Sequence, residues 1–210
     1  IEIPALRFGD FSPFVKAMRW DANGQLWIAT RSHLYSYSPS TGSTKVARIG
    51  NTGNTIIKRL EIDTLNKKLY IAGTGGIYAY SITDTGLLFM YNLKLTGIDK
   101  TVMTPDGTLY ILLEHERIVH ITDSSVSETY KAKLISDLSY LPLHKCLVFL
   151  SPSGLTLLNL SDKSKTLSKV TPLIDISSPN VRITVLNGDR ILLHYTNGIC
   201  IISNVNDTAN

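Results

Sequence analysis

A short apolar run returns five times along this chain, and a repeat of that period constrains the fold more than any other property of the sequence. The runs occupy 26–30, 69–73, 109–113, 147–150 and 191–194, and their first residues stand 43, 40, 38 and 44 apart. A second apolar run follows each one. Leu34, Ile77, Leu155 and Ile199 lie eight residues beyond their anchors, and Ile118 lies nine beyond its own.

Each unit reads as strands. The segments 34–37, 77–80 and 118–121 are short, rich in β-branched and aromatic residues, and bounded by turn formers. A further short strand precedes each anchor, at 15–20, 57–62, 101–104, 135–140 and 181–186. Asn23-Gly24, Asp106-Gly107 and Asn187-Gly188 lie between these first strands and the anchors, and such pairs accept the positive φ of tight hairpin turns. Fourth strands follow at 44–49, 87–95, 127–134 and 165–170, and no 3.6-residue periodicity competes. Four antiparallel strands recurring about every 40 residues describe the blades of an all-β propeller. Solenoid helix pairs need helices, and leucine-rich repeats are far shorter.

The anchors are apolar at nearly every position, which suits strands covered on both faces by neighbouring blades. No linker or compositional break divides the 210 residues, so one domain is expected. Its units fall near 12–54, 55–98, 99–134, 135–178 and 179–203, and 1–11 either completes the last blade and closes the ring or belongs to a longer repeat array. The first residue is not Met and no signal-like segment follows it, which suits a mature chain or an excised piece.

Charge and cysteine content narrow the function classes. Lys and Arg number 21 against 17 Asp and Glu, a net charge of +4. The cations are spread over different segments (Lys16, Arg48, Lys58, Lys94, Lys131, Lys163), unlike the clustered patch of a nucleic-acid binder. No apolar run approaches membrane-spanning length, so neither nucleic acid nor membrane contact by this segment is expected. Cys146 and Cys200 are too few for a disulfide framework and lack metal-ligand spacing. They belong to different strand ranks of neighbouring units, so two free and mostly buried thiols are expected.

The first unit resembles the two-component regulator propeller repeat, whose pattern is a strand, then Asp-x-x-Gly-x-Leu-Trp-Ile-Gly-Thr, a Gly-Leu pair and a Tyr-containing strand. Asp21, Gly24, Leu26, Trp27, Ile28, Thr30, Leu34 and Tyr37 match, while Ala29 and His33 replace the usual glycines. Unit two keeps Asp63, Leu69, Ile71, Gly76 and Tyr80; unit three keeps Asp106, Gly107 and Leu109; the last two keep the apolar skeleton with Gly154 and Gly198. The resemblance implies the periplasmic or extracellular sensor portion of a bacterial hybrid histidine kinase, many of which respond to carbohydrate. It also implies a homodimer formed through the parent protein. Propellers of that family usually have more than five blades, and similar motifs occur in quinoprotein-like and lyase propellers.

Catalytic signals are sparse. His33, His115, His120, His144 and His194 form no pair at metal-binding spacing and have no carboxylate cluster beside them. Gly73-Thr74-Gly75-Gly76 joins two strands, so it is a permissive turn and not a phosphate cradle. Ser151-Pro152-Ser153-Gly154 precedes no helix and is not a nucleophile elbow. Trp27, Tyr70 and their repeated aromatic counterparts read as packing between blades, because packing demands repetition. Few acids fall inside the first strands, Glu61 being one, which ranks a propeller lyase or glycosidase last.

No catalytic residue, metal or cofactor is therefore expected. The expected activity is binding of a small molecule, carbohydrate included, or of a protein partner, with a scaffold propeller as the alternative. Loops between second and third strands share one face with the connections between blades. Their side chains vary while the flanking strands repeat, and recognition needs unrepeated groups. Arg31, His33, Glu114, His115 and Arg117 are the expected binding residues, with His33 and His115 able to approach each other across that face.

Overall fold

The computed structural model describes residues 14–47, 49, 55–168, 181–186, 190–195 and 198–202. They form five antiparallel meanders. Blade one contains β1 (Ala17–Trp20), β2 (Leu26–Ala29), β3 (Leu34–Ser38) and β4 (Ser43–Ala47). Blade two contains β5 (Ile57–Asp63), β6 (Lys68–Gly73), β7 (Gly76–Thr83) and β8 (Gly86–Leu93). In blade three come β9 (Ile98–Met103), β10 (Leu109–Leu113), β11 (Arg117–Thr122) and β12 (Ser125–Lys131). Blade four has β13 (Asp137–Leu141), β14 (Cys146–Ser151), β15 (Gly154–Asn159) and β16 (Lys165–Ser168), and blade five has β17 (Arg182–Val185), β18 (Ile191–Tyr195) and β19 (Gly198–Ile202). Within every sheet the strands lie in chain order.

Alternation along the second strands explains the stacking. One residue after each anchor, Trp27, Tyr70, Tyr110 and Val148 pack toward the following blade. Their neighbours on the other face, such as Leu69, Ile111, Phe149 and Leu193, pack toward the preceding blade. Leu26 and Ile28 cluster with Tyr35 inside blade one. A strand has two faces and each blade has two neighbours, so β6, β10 and β14 are apolar almost throughout. In blade five the same pattern is only half covered. Ile191 and Leu193 are buried, but Leu192 is only partly so and His194 is exposed, and Ile199 and Ile201 stand open on that side. Among the described residues no core cluster spans blades five and one. The expected closing segment, 1–11, lies outside the described residues, as do Arg48, the turn at 187–188 and the loop at 196–197.

The repeat motif has a mechanical meaning. Asp21 Oδ1 accepts the backbone N–H groups of Asn23 and Gln25, at 2.9 and 3.0 Å, and Oδ2 accepts Trp27 Nε1–H at 2.8 Å. One carboxylate thus closes the hairpin and fixes the indole that enters blade two. Asp63 repeats the turn function through Asn66. In blade three Thr104 holds that place, since its backbone bonds Thr108 as Asp21 bonds Gln25, while Asp106 caps the turn from inside. The Gly73–Gly76 turn is packed hard: φ at Gly76 is 115°, and a Cβ there would lie 2.1 Å from the Leu93 carbonyl oxygen. Close backbone approach explains this glycine without a ligand.

Cys146 and Cys200 are both free, and both belong to the layer between blades four and five. Cys146 is buried; Cys200 is partly so. Burial pushes the Cys146 thiol above its ordinary pKa.

Buried tyrosines make the stack sensitive to alkali. Burial, then the neighbouring Tyr78, raises Tyr80 from 10.0 to about 12, and burial with Tyr91 beside it raises Tyr70 as well. The folded state holds these protons more tightly than the unfolded state. Stability is therefore full below pH 10 and falls as the pH rises from there toward the folded value. Urea midpoints measured across that window should fall steeply in the wild type and less in Tyr80→Phe.

Candidate functional site

The first strands of successive blades lie side by side, β1 against β5, β5 against β9, β9 against β13 and β13 against β17. They are the inner strands of the stack and border an open cavity of about 880 Å³. Its wall includes Arg19, Glu61, Lys100, Met103, Tyr140 and Val185. Pro105, Pro142, Leu143 and Leu186 add the rim, so the cavity opens on the face carrying the loops from first to second strands.

Charges on the inner strands tie blade to blade. Arg19 of β1 donates from Nε and Nη2 to the two carboxylate oxygens of Glu61 in β5, at 3.1 and 3.2 Å. Thr101 of β9 donates Oγ1–H to Glu61 Oε1 at 2.8 Å. Lys100 Nζ lies 2.9 Å from Asp137 Oδ1 in β13, and Asp137 Oδ2 accepts the Ile183 N–H of β17 at 2.8 Å. The acids are the sheltered members of both pairs: the side chains of Glu61 and Asp137 are 9% and 3% exposed, against 47% and 26% for Arg19 and Lys100. Burial and the negative charge of Asp106 raise the Tyr140 phenol above its ordinary pKa, and Tyr140 lines the cavity.

The loops singled out from sequence fasten one blade to the next. Arg31 and His33 lie between β2 and β3, Glu114 and His115 between β10 and β11, and Arg117 opens β11. Their backbones clasp the next blade: the Arg31 carbonyl accepts Ile57 N–H at 2.8 Å, and the His115 carbonyl accepts Ile135 N–H at 2.6 Å. His115 also sits 3.5 Å from Asp99 through Nε2, with Nδ1 2.9 Å from the Ile135 carbonyl. Glu114 pairs with Arg117 at 3.3 Å, and His33 contacts Ser32 and the Tyr35 ring. Among the described residues no hydrogen bond or ion pair joins Arg31 or His33 to Glu114, His115 or Arg117. None of the five lines the cavity, which opens on the opposite face.

Sequence reasoning passed over Arg19, Lys100 and Asp137. A signal existed for Arg19 and Asp137, charges inside the expected first strands 15–20 and 135–140, whereas Lys100 falls one residue before 101–104. Among the described residues no cluster of His, Cys, Asp and Glu has the geometry of a metal site.

Solved structures resemble this arrangement. The extracellular domain of the putative hybrid two-component system BT3049 from B. thetaiotaomicron superposes with a TM-score of 0.69 at 19% identity, over 98% of this chain and 29% of that one. Virginiamycin B lyase from Staphylococcus aureus gives 0.64 at 18%, over 90% and 69%. A nidogen/laminin complex chain gives 0.64 at 12%, over 90% and 75%. The fold is a β-propeller. No family model matches the sequence, and no curated protein sequence matches it. These propellers include a lyase, a two-component system domain and a chain of a protein complex, so the fold is shared while the function is not.

The ion pairs make an ordered stability prediction. Removing Arg19 leaves a sheltered carboxylate with Thr101 alone, whereas removing the charge of Glu61 leaves a half-exposed guanidinium that water can reach. Arg19→Met should therefore cost about 1–3 kcal/mol and Glu61→Gln less. Chemical denaturation of the two variants checks the order; an equal or reversed cost contradicts it.

Proposed function

We propose that this chain is an extracytoplasmic ligand-binding propeller domain of a bacterial signalling protein, with the inner-strand cavity as its site. The observation that carries the reading is the cavity itself. It has the size of a small-molecule site and combines apolar wall residues with a few fixed polar groups. The two-component system resemblance of the first repeat, and the likeness to the BT3049 extracellular domain, supply the signalling context.

Binding is favoured over catalysis by the state of the acids. Glu61 and Asp137, the sheltered carboxylates of the inner strands, have both oxygens engaged by neighbours. A general base must come within hydrogen-bond reach of the proton it takes, and these two are the sheltered members of their ion pairs. A second reading, a protein-docking propeller, draws on the exposed Ile199 and Ile201 of blade five. On the face opposite the cavity mouth, Arg31 and the Glu114–Arg117 pair are the groups such a partner would meet.

A thermal-shift screen of small metabolites, followed by Ser139→Trp, tests the cavity. Ser139 lines the wall, so an indole there fills the space. Stabilising compounds should lose their effect on the folded variant. Full retention of every effect, or a screen without any stabilising compound, contradicts the reading.

A further inference from the structure

The cavity wall is one-sided in the charge it exposes. Its carboxylates are sheltered and held: Glu61 accepts from Arg19 and Thr101, and Asp137 from Lys100 and the Ile183 N–H. Its cations keep N–H groups to spare. A guanidinium carries five N–H groups and an ammonium three. Arg19 commits two to Glu61 and one to the Met18 carbonyl, and Lys100 commits one to Asp137. Both cations are the more exposed partners of their pairs and line the cavity, as do Met103, Tyr140 and Val185.

We propose that the cavity selects a small organic acid, its carboxylate set against Arg19 and Lys100 and its apolar body against Met103, Tyr140 and Val185. This rests on the cavity being the ligand site. A carboxylate offers acceptors only, which is what a wall of unused donors requires, and charge-assisted bonds are the stronger kind. A polyol is uncharged, so it adds no Coulombic attraction to the two exposed cations. The ion pairs hold both cations in place before a ligand arrives, so little side-chain freedom is lost on binding.

Three probes of one shape separate the classes: indole-3-acetate, its neutral amide and the cation tryptamine, with maltotriose as a polyol. Their binding to the ¹⁵N-labelled chain is followed through the backbone amides of Lys100, Thr101, Met103, Ser139 and Tyr140. Indole-3-acetate should bind about tenfold more tightly than the amide, and added salt should weaken that preference. The double substitution Arg19→Gln with Glu61→Gln removes one cation without stranding its partner, and should bring acid and amide toward parity. Parity in the wild type, or a preference for tryptamine or maltotriose at these amides, overturns the acid assignment and leaves the cavity as the site. No shift at these amides with any probe overturns the cavity reading and this inference together.

Discussion

A strand that is apolar on both faces cannot be satisfied inside one four-stranded sheet, because each sheet covers only its neighbour's side. The second strands of this chain impose that requirement repeatedly, and the stack answers it by placing each blade between two others. Most of the architecture follows. Large residues one place after the anchor go forward, their neighbours go back, and the layers between blades become the core. Stacking twisted sheets in this way brings the first strands together at the centre, and the cavity is the space they leave.

The same requirement explains what was legible. The anchors, hairpin turns and third strands were visible because solvent exclusion writes a pattern in residue type. Blade three shows where the pattern weakens. Its inner strand begins at Ile98, three residues before the sequence suggests, because Asp99 and Lys100 interrupt the apolar run. Inner strands border the cavity on one side, so their apolar alternation is broken there. Arg19, Lys100 and Asp137 were hidden for the same reason: charges scattered in sequence look like solvated surface until the topology gathers them. The five loop residues chosen from sequence differ from unit to unit, as recognition residues would. Those at 31 and 115 also carry backbone bonds to the next blade, which is a packing duty invisible in side-chain identity.

The aromatic residues show how repetition separates packing from recognition. Trp27, Tyr70 and Tyr110 are buried at equivalent places and serve neighbouring blades. Tyr140 and Trp20, each opposite the anchor of its blade, are not buried in this way: Trp20 is exposed and Tyr140 borders the cavity. Asp21 likewise serves architecture, since its carboxylate orients the Trp27 indole and closes the hairpin before it.

The Lys100–Asp137–Ile183 contact joins the cavity wall to the backbone of the last blade through one shared carboxylate. An anion bound as proposed, through the N–H groups that Lys100 leaves unused, would share the ammonium with Asp137 and so bear on the Ile183 amide that Asp137 holds. Occupancy and blade attachment would then be linked equilibria, and linkage is reciprocal. A load on blade five from outside the stack would change the affinity of the cavity by the same factor that occupancy changes the hold on that blade.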